Sequence, residues 1–177
     1  MAITGPGFKQ VTVENWLEPD PLYAGLVNLN RVDGTTSPTT GADWLRFLDY
    51  ARLSAPVPDV VRRAFDFAAG AVGYSYFYYP LLTLVAQQEL RVADFAIDKL
   101  FDERAITPKP STFYDRLVAL HRQGLLSDAS FHQWDAFRKL RNHSTHPPWQ
   151  QNWGHAMSLQ LVKDIAKAIS ALPWPAK

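Results

Sequence analysis

The chain has 177 residues and a mass of 20.0 kDa, the size of one compact domain able to bury about 70% of its unfolded surface. Hydrophobic residues make up 47% and charged residues 20%, values that exclude a wholly disordered chain. There is no cysteine and the net charge is only +1, so disulfides, thiolate metal sites and cysteine nucleophiles are excluded, and any case for nucleic-acid binding has to be local.

The opening stretch MAITGPGFKQVTVEN shows no basic run leading into an apolar one, and the expected location is cytoplasmic. Turn formers crowd the first forty or so positions: Gly5-Pro6-Gly7, Pro19-Asp20-Pro21, Asp33-Gly34 and Thr35-Thr36-Ser37-Pro38. Between them Phe8 to Val13 alternates well enough to predict one short strand. Residues 1–55 therefore read as an irregular extension plus one short helix, opened by a capping pair, Thr40 and Asp43, ahead of Trp44, Leu45, Phe47 and Leu48.

Residues 56–177 read as an all-α, up-and-down bundle of four to five core helices. Pro56 and Pro58 separate the short helix from a second over about 59–73, after which Gly73 leads into the aromatic knot Tyr74, Tyr76, Phe77, Tyr78 and Tyr79. A third, longest helix covers about 80–103. Ser111 caps a fourth, which ends at Gly124 in a left-handed turn. Ser127 or Asp128 caps a fifth that runs toward Pro147-Pro148, and a sixth covers about 156–171. Short connections favour antiparallel neighbours. No apolar stretch reaches the length of a membrane span.

Charge breaks the apolar pattern in two places. Glu89 shares its stripe with Leu82, Val85, Ala86, Val92, Ala93 and Ala96, so its carboxylate either reaches water beside Gln88 or meets a cation from another helix. On the fifth helix, at 100° per residue from Phe131, Arg141 falls at about 280°, inside the arc of Trp134, Phe137 and Leu140, with Arg138 at its margin. Asp135, Lys139, His132 and His143 fall on the opposite, solvated side. A guanidinium among aromatics needs a partner, and Glu89 or a bound phosphate would serve. This placement, with Trp149 and Trp153 beyond, predicts a homodimer interface on the C-terminal half of the fifth helix. His146 precedes Pro147 and should project from the helix end.

The string Phe137-Arg138-Lys139-Leu140-Arg141-Asn142-His143-Ser144-Thr145-His146-Pro147 resembles the R-x4–6-H motif of the HEPN family of helical-bundle proteins, and Leu82 to Leu100 looks like the second helix of that fold. The likeness covers about residues 59–171. Three copies of the bare spacing occur, Arg116 to His121, Arg138 to His143 and Arg141 to His146; only the last has Asn after Arg and a helix-breaking pair behind it.

The resemblance implies a metal-independent endoribonuclease of single-stranded RNA that needs no cofactor and works as a symmetric dimer, sometimes in toxin–antitoxin or defence systems with an antitoxin or regulatory partner. The catalytic residues carried over are Arg141, Asn142 and His146, with Glu89, Arg138 and His143 in support. Imidazole moves protons near neutrality, and a guanidinium steadies phosphorane-like oxygens. Trp149 and Trp153 are candidates for stacking on unpaired bases, or for packing. Two other readings stay open. His143, His146 and His155 form an incomplete metal set with no carboxylate nearby. In the other, the domain is a non-catalytic binding or dimerisation module in which the Arg–His motif is structural. No G-x-S-x-G, P-loop or dinucleotide fingerprint is present.

Overall fold

The computed structural model describes residues 9–30, 32–144 and 153–175. Thr40 and Asp43 cap each other reciprocally: the Asp43 N–H donates to Thr40 Oγ1 at 3.2 Å and the Thr40 N–H to Asp43 Oδ2 at 3.0 Å. They open α1 (Gly41–Arg46), which tightens into a 3-10 turn over Phe47–Tyr50. Pro58 stands at the N-cap of α2 (Asp59–Ser75), and a short turn then leads into α3 (Leu81–Glu103). Thr112, one residue beyond the expected Ser111, caps α4 (Phe113–Arg122) by accepting the Asp115 N–H at 3.1 Å. Gly124 follows with φ +69°, the left-handed conformation that favours glycine. Ser127 Oγ accepts the Ser130 N–H at 3.2 Å and so starts α5 (Asp128–Ser144). The last helix is α6 (His155–Ser170).

These elements make the expected helical bundle. α3 is its centre, packing on α2, α6, α5 and α4. Eleven of its residues are buried, Leu82, Leu90, Ala93, Ile97 and Leu100 among them, which is why it tolerates so little charge inward. The N–H of Trp153 bonds Thr83 Oγ1 near the start of α3, and Arg104 bonds the Pro173 carbonyl at its end, so α3 and α6 run side by side in one direction. Trp134 from α5 is 1% exposed and meets Phe137 edge to face with centroids 5.7 Å apart. Among the described residues no helix is long and apolar enough to cross a membrane.

The N-terminal region departs from its expected form. Described residues 9–13 contain no strand. The Asn15 side chain accepts the Thr12 N–H at 2.9 Å and donates to the Gln10 carbonyl at 2.8 Å, satisfying locally the groups a neighbouring strand would have paired. A hairpin forms later instead, from β1 (Val27–Leu29) and β2 (Thr36–Pro38), in antiparallel register Val27 to Pro38 and Leu29 to Thr36. Its loop contains Gly34 at φ +73°. The run Thr36-Ser37-Pro38, which reads as a turn, is thus an edge strand, where proline is tolerated.

This region is anchored on the corner between α2 and α3. Asp20, fully buried, accepts N–H groups from Leu22 at 3.0 Å and Tyr79 at 2.8 Å. Tyr23 packs against Trp44 at 4.7 Å, Tyr79 at 5.5 Å and Tyr76 at 6.0 Å between centroids. Tyr76 and Tyr79 of the aromatic knot therefore pack inward, whereas Tyr74 remains 70% exposed.

Candidate functional site

Three carboxylates recur at four-residue spacing on α3: Asp94, Asp98 and Asp102. That spacing puts them on one face, and the face meets cations from three directions. Asp94 Oδ1 pairs with Arg116 Nη2 of α4 at 2.7 Å, and its Oδ2 pairs with Arg141 Nη2 of α5 at 3.2 Å. Asp98 takes Arg116 at 3.4 Å and Lys109 at 2.9 Å; Asp102 takes Lys109 at 2.8 Å and Lys99 at 2.7 Å. Arg116 also donates to the carbonyls of Ser111 at 3.1 Å and Pro110 at 3.3 Å. Asp94 is thus the junction of α3, α4 and α5.

The expected pairing of Glu89 with Arg141 does not form. Arg141 belongs to Asp94, while Glu89 is fully buried with neither carboxyl oxygen hydrogen-bonded. Burial, reinforced by the charge of Asp66, pushes the Glu89 carboxyl well above its usual range. The alternative in which Glu89 reaches water fails for the same reason. One further turn of α3 separates the carboxylate that holds the arginine from the one expected to.

Arg141 occupies the last turn of α5. Its side chain is 35% exposed, and its Nη1 approaches Asn142 Oδ1 at 3.5 Å. Its Nε is buried without a hydrogen-bond partner. Ser144 Oγ donates to the Arg141 carbonyl at 2.9 Å and ties off the helix end. The guanidinium is therefore held by Asp94 while its side chain stays 35% exposed.

Arg138 has its own partners. Its Nε bonds Asp135 Oδ1 at 2.7 Å, and its guanidinium lies 5.1 Å from the Tyr114 ring centroid. Lys139 Nζ reaches the other Asp135 oxygen at 2.8 Å. Asp135, expected on the solvated side, is 9% exposed. Burial works to raise its carboxyl, but the hydrogen bonds and charges of Lys139 and Arg138 outweigh it and hold it below the usual range. Partners inside the protomer thus explain both arginines that pointed to a dimer contact on α5.

His143 and Asn142 are exposed, as is His132. His143 and Leu140 form one wall of a cleft of about 490 Å3, with Trp153, Met157 and Gln160 along the other. Trp153 is half-buried against the core, and its carbonyl accepts from the Tyr79 hydroxyl at 3.3 Å. His146 and Trp149 lie outside the described residues. Among the described residues no three His, Cys, Asp or Glu side chains stand close enough together to hold a metal ion. No protein-family model, curated protein or solved structure matches this chain.

The acidic stripe was readable from spacing alone. Acids on a helix face ordinarily signal solvent, so in the residues alone Glu89, an acid among apolar neighbours, stands out more than the stripe does.

Proposed function

We propose that the chain is a HEPN-like endoribonuclease that cuts single-stranded RNA without a metal, as a cytoplasmic homodimer. The observation that carries this reading is the Arg141 guanidinium, held by Asp94, beside Asn142 and partly exposed at the end of α5. A planar cation fixed this way meets phosphate oxygens with directional donors and without reorganising at the moment of reaction. In the proposed reaction the ribose 2′-oxygen attacks the adjacent phosphorus and the 5′-oxygen leaves. His146 moves the proton at one of these oxygens, Asn142 orients the phosphate, and the products are a 2′,3′-cyclic phosphate and a 5′-hydroxyl. Asp94 is a positioning residue for Arg141. A defence or toxin–antitoxin setting, with an antitoxin as partner, belongs to the same reading.

The test is incubation of the purified chain with labelled single-stranded RNA in the presence of EDTA. Fragments ending in cyclic phosphate are expected, and Arg141→Lys should not produce them because an ammonium lacks the paired donors. A second reading draws on the same junction. Because Asp94 binds both Arg116 and Arg141, Arg141 has structural work whatever it does to RNA, as in a non-catalytic binding module. RNA retained but uncut by the wild type would favour that module.

A further inference from the structure

Phe67 and Tyr74 project from α2 with 81% and 70% of their surface exposed, and Leu84 stands across from them on α3 at 58%. Between the two rings, on the same α2 face, lie Gly70 and Ala71, which with Val85 line a groove of about 750 Å3 between the helices. Along α2 the face reads large, small, small, large over two turns. Rings so exposed on a regular helix mark a contact surface, and the groove beside them is apolar except for Gln87, Gln88 and Arg91.

A Cβ on Gly73 would come within 2.8 Å of Leu45 Cδ2, the end of a side chain that is 53% exposed and can turn aside. A Cβ on Gly70 would meet nothing within 4 Å. Glycine weakens the middle of a helix, and nothing inside the protomer requires it at 70. Glycine at 70 leaves room for another backbone to approach closely.

We propose that this α2–α3 face binds the same face of a second copy of the chain across a two-fold axis. The choice of occupant follows from self-complementarity, which an isologous contact requires. When two antiparallel α2 helices meet about an axis beside Gly70 and Ala71, Phe67 of each copy lies against Tyr74 of the partner subunit. The same geometry sets Gly70 against Ala71 of the partner subunit, where small residues let the backbones approach. The four rings, each worth about 150–250 Å2 when fully buried, supply about 600 Å2 at their present exposure. A stable interface needs upward of about 1,000 Å2, and Leu84 with the groove walls adds the remainder. The inference rests on the homodimer of the proposed function and moves its contact from α5 to α2 and α3; RNA cleavage is tested separately, so the dimer face can fail while the activity stands.

The chain has no cysteine, so Gly70→Cys introduces a single thiol beside the proposed axis. Disulfide formation needs Cα atoms about 4.4–6.8 Å apart. On mild oxidation of the full chain at micromolar concentration, Gly70→Cys should form a covalent dimer. Val13→Cys, on a residue 85% exposed in the N-terminal region, should not. In sedimentation equilibrium the wild type should dimerise, and Phe67→Glu should raise the dissociation constant about 30-fold or more, the scale of an interface hot spot, with its circular dichroism unchanged. A wild type that stays monomeric throughout the micromolar range overturns the proposal, whether or not another protein fills the groove. So does a dimer that Phe67→Glu leaves intact and Gly70→Cys fails to cross-link.

Discussion

Glu89 and Asp94 occupy neighbouring turns of α3, and the helix treats them in opposite ways. Asp94 sits where α4 and α5 converge, keeps 18% of its side chain exposed, and is shared by two guanidiniums. Glu89 faces the interior, fully buried, with no hydrogen-bond partner for either oxygen. A carboxylate earns its place in a helical bundle by meeting cations at the boundary between helices; one turned into the core is pushed toward its protonated form and weakens the fold. Position around the helix, and not residue type, decides which occurs.

The largest effect should come from breaking the junction. Asp94→Ala leaves Arg116, only 10% exposed, without its closest carboxylate, and should cost about 2–4 kcal/mol, somewhat below the full penalty for a deeply buried pair. Urea denaturation measures it. A loss below about 0.5 kcal/mol would mean the junction is ornamental.

Glu89 should behave in the opposite sense. Glu89→Met replaces an unpartnered buried carboxyl by an apolar chain of similar length and should stabilise by about 1–3 kcal/mol at pH 7. The gain depends on pH. The folded carboxyl titrates well above the ordinary value of 4.5, so between the two the folded state holds the extra proton. The wild type is then at its best below 4.5 and loses stability as pH rises, by at most about 1.4 kcal/mol per unit. Glu89→Met lacks that slope, so melting curves at pH 4 and pH 7 should show the smaller gain at the lower pH.

Asp135 offers an intermediate case. Its carboxyl titrates below the ordinary 3.8 in the folded chain, so the stability it contributes is present above that value and is lost as pH falls through the lower folded one. Asp135→Asn should cost about 1 kcal/mol at pH 7, with the difference from wild type closing in strong acid. The smallest effect belongs to the pair Arg52–Asp49, 77% and 61% exposed, where Asp49→Ala should change stability by less than about 0.5 kcal/mol.

Much of the fold follows from local chemistry visible in the residues. The Thr40–Asp43 cap, the left-handed Gly124, the Ser127 cap and the apolar spacing of the long helices each depend on neighbours within a few positions, and each appears where expected. The missing strand is a local failure, and those at the hairpin, Arg141 and Asp135 are non-local. Whether residues 9–13 form a strand depended on where Asn15 would turn its side chain. The hairpin depended on β1 finding a partner whose sequence reads as a turn. The partner of Arg141 was the least legible of all. A helical wheel places Arg141 on an inward arc, but the carboxylate it meets is set by how α3 and α5 cross, and that crossing put Asp94 within reach while Glu89 stayed in the core. The Asp135 side chain illustrates the same limit: a wheel assigns it to solvent, yet it is 9% exposed and paired with Arg138 and Lys139.

The most direct test of the proposed function is the rate of single-stranded RNA cleavage by wild type, His146→Ala and His132→Ala, all in EDTA. The account predicts cleavage by the wild type, a loss of about 10²–10⁴-fold on removing the proton-transfer histidine, and an unaltered rate for His132→Ala, whose side chain stands exposed on α5. Wild-type protein that cuts no RNA, or a His146→Ala variant that cuts as fast as wild type, would contradict it.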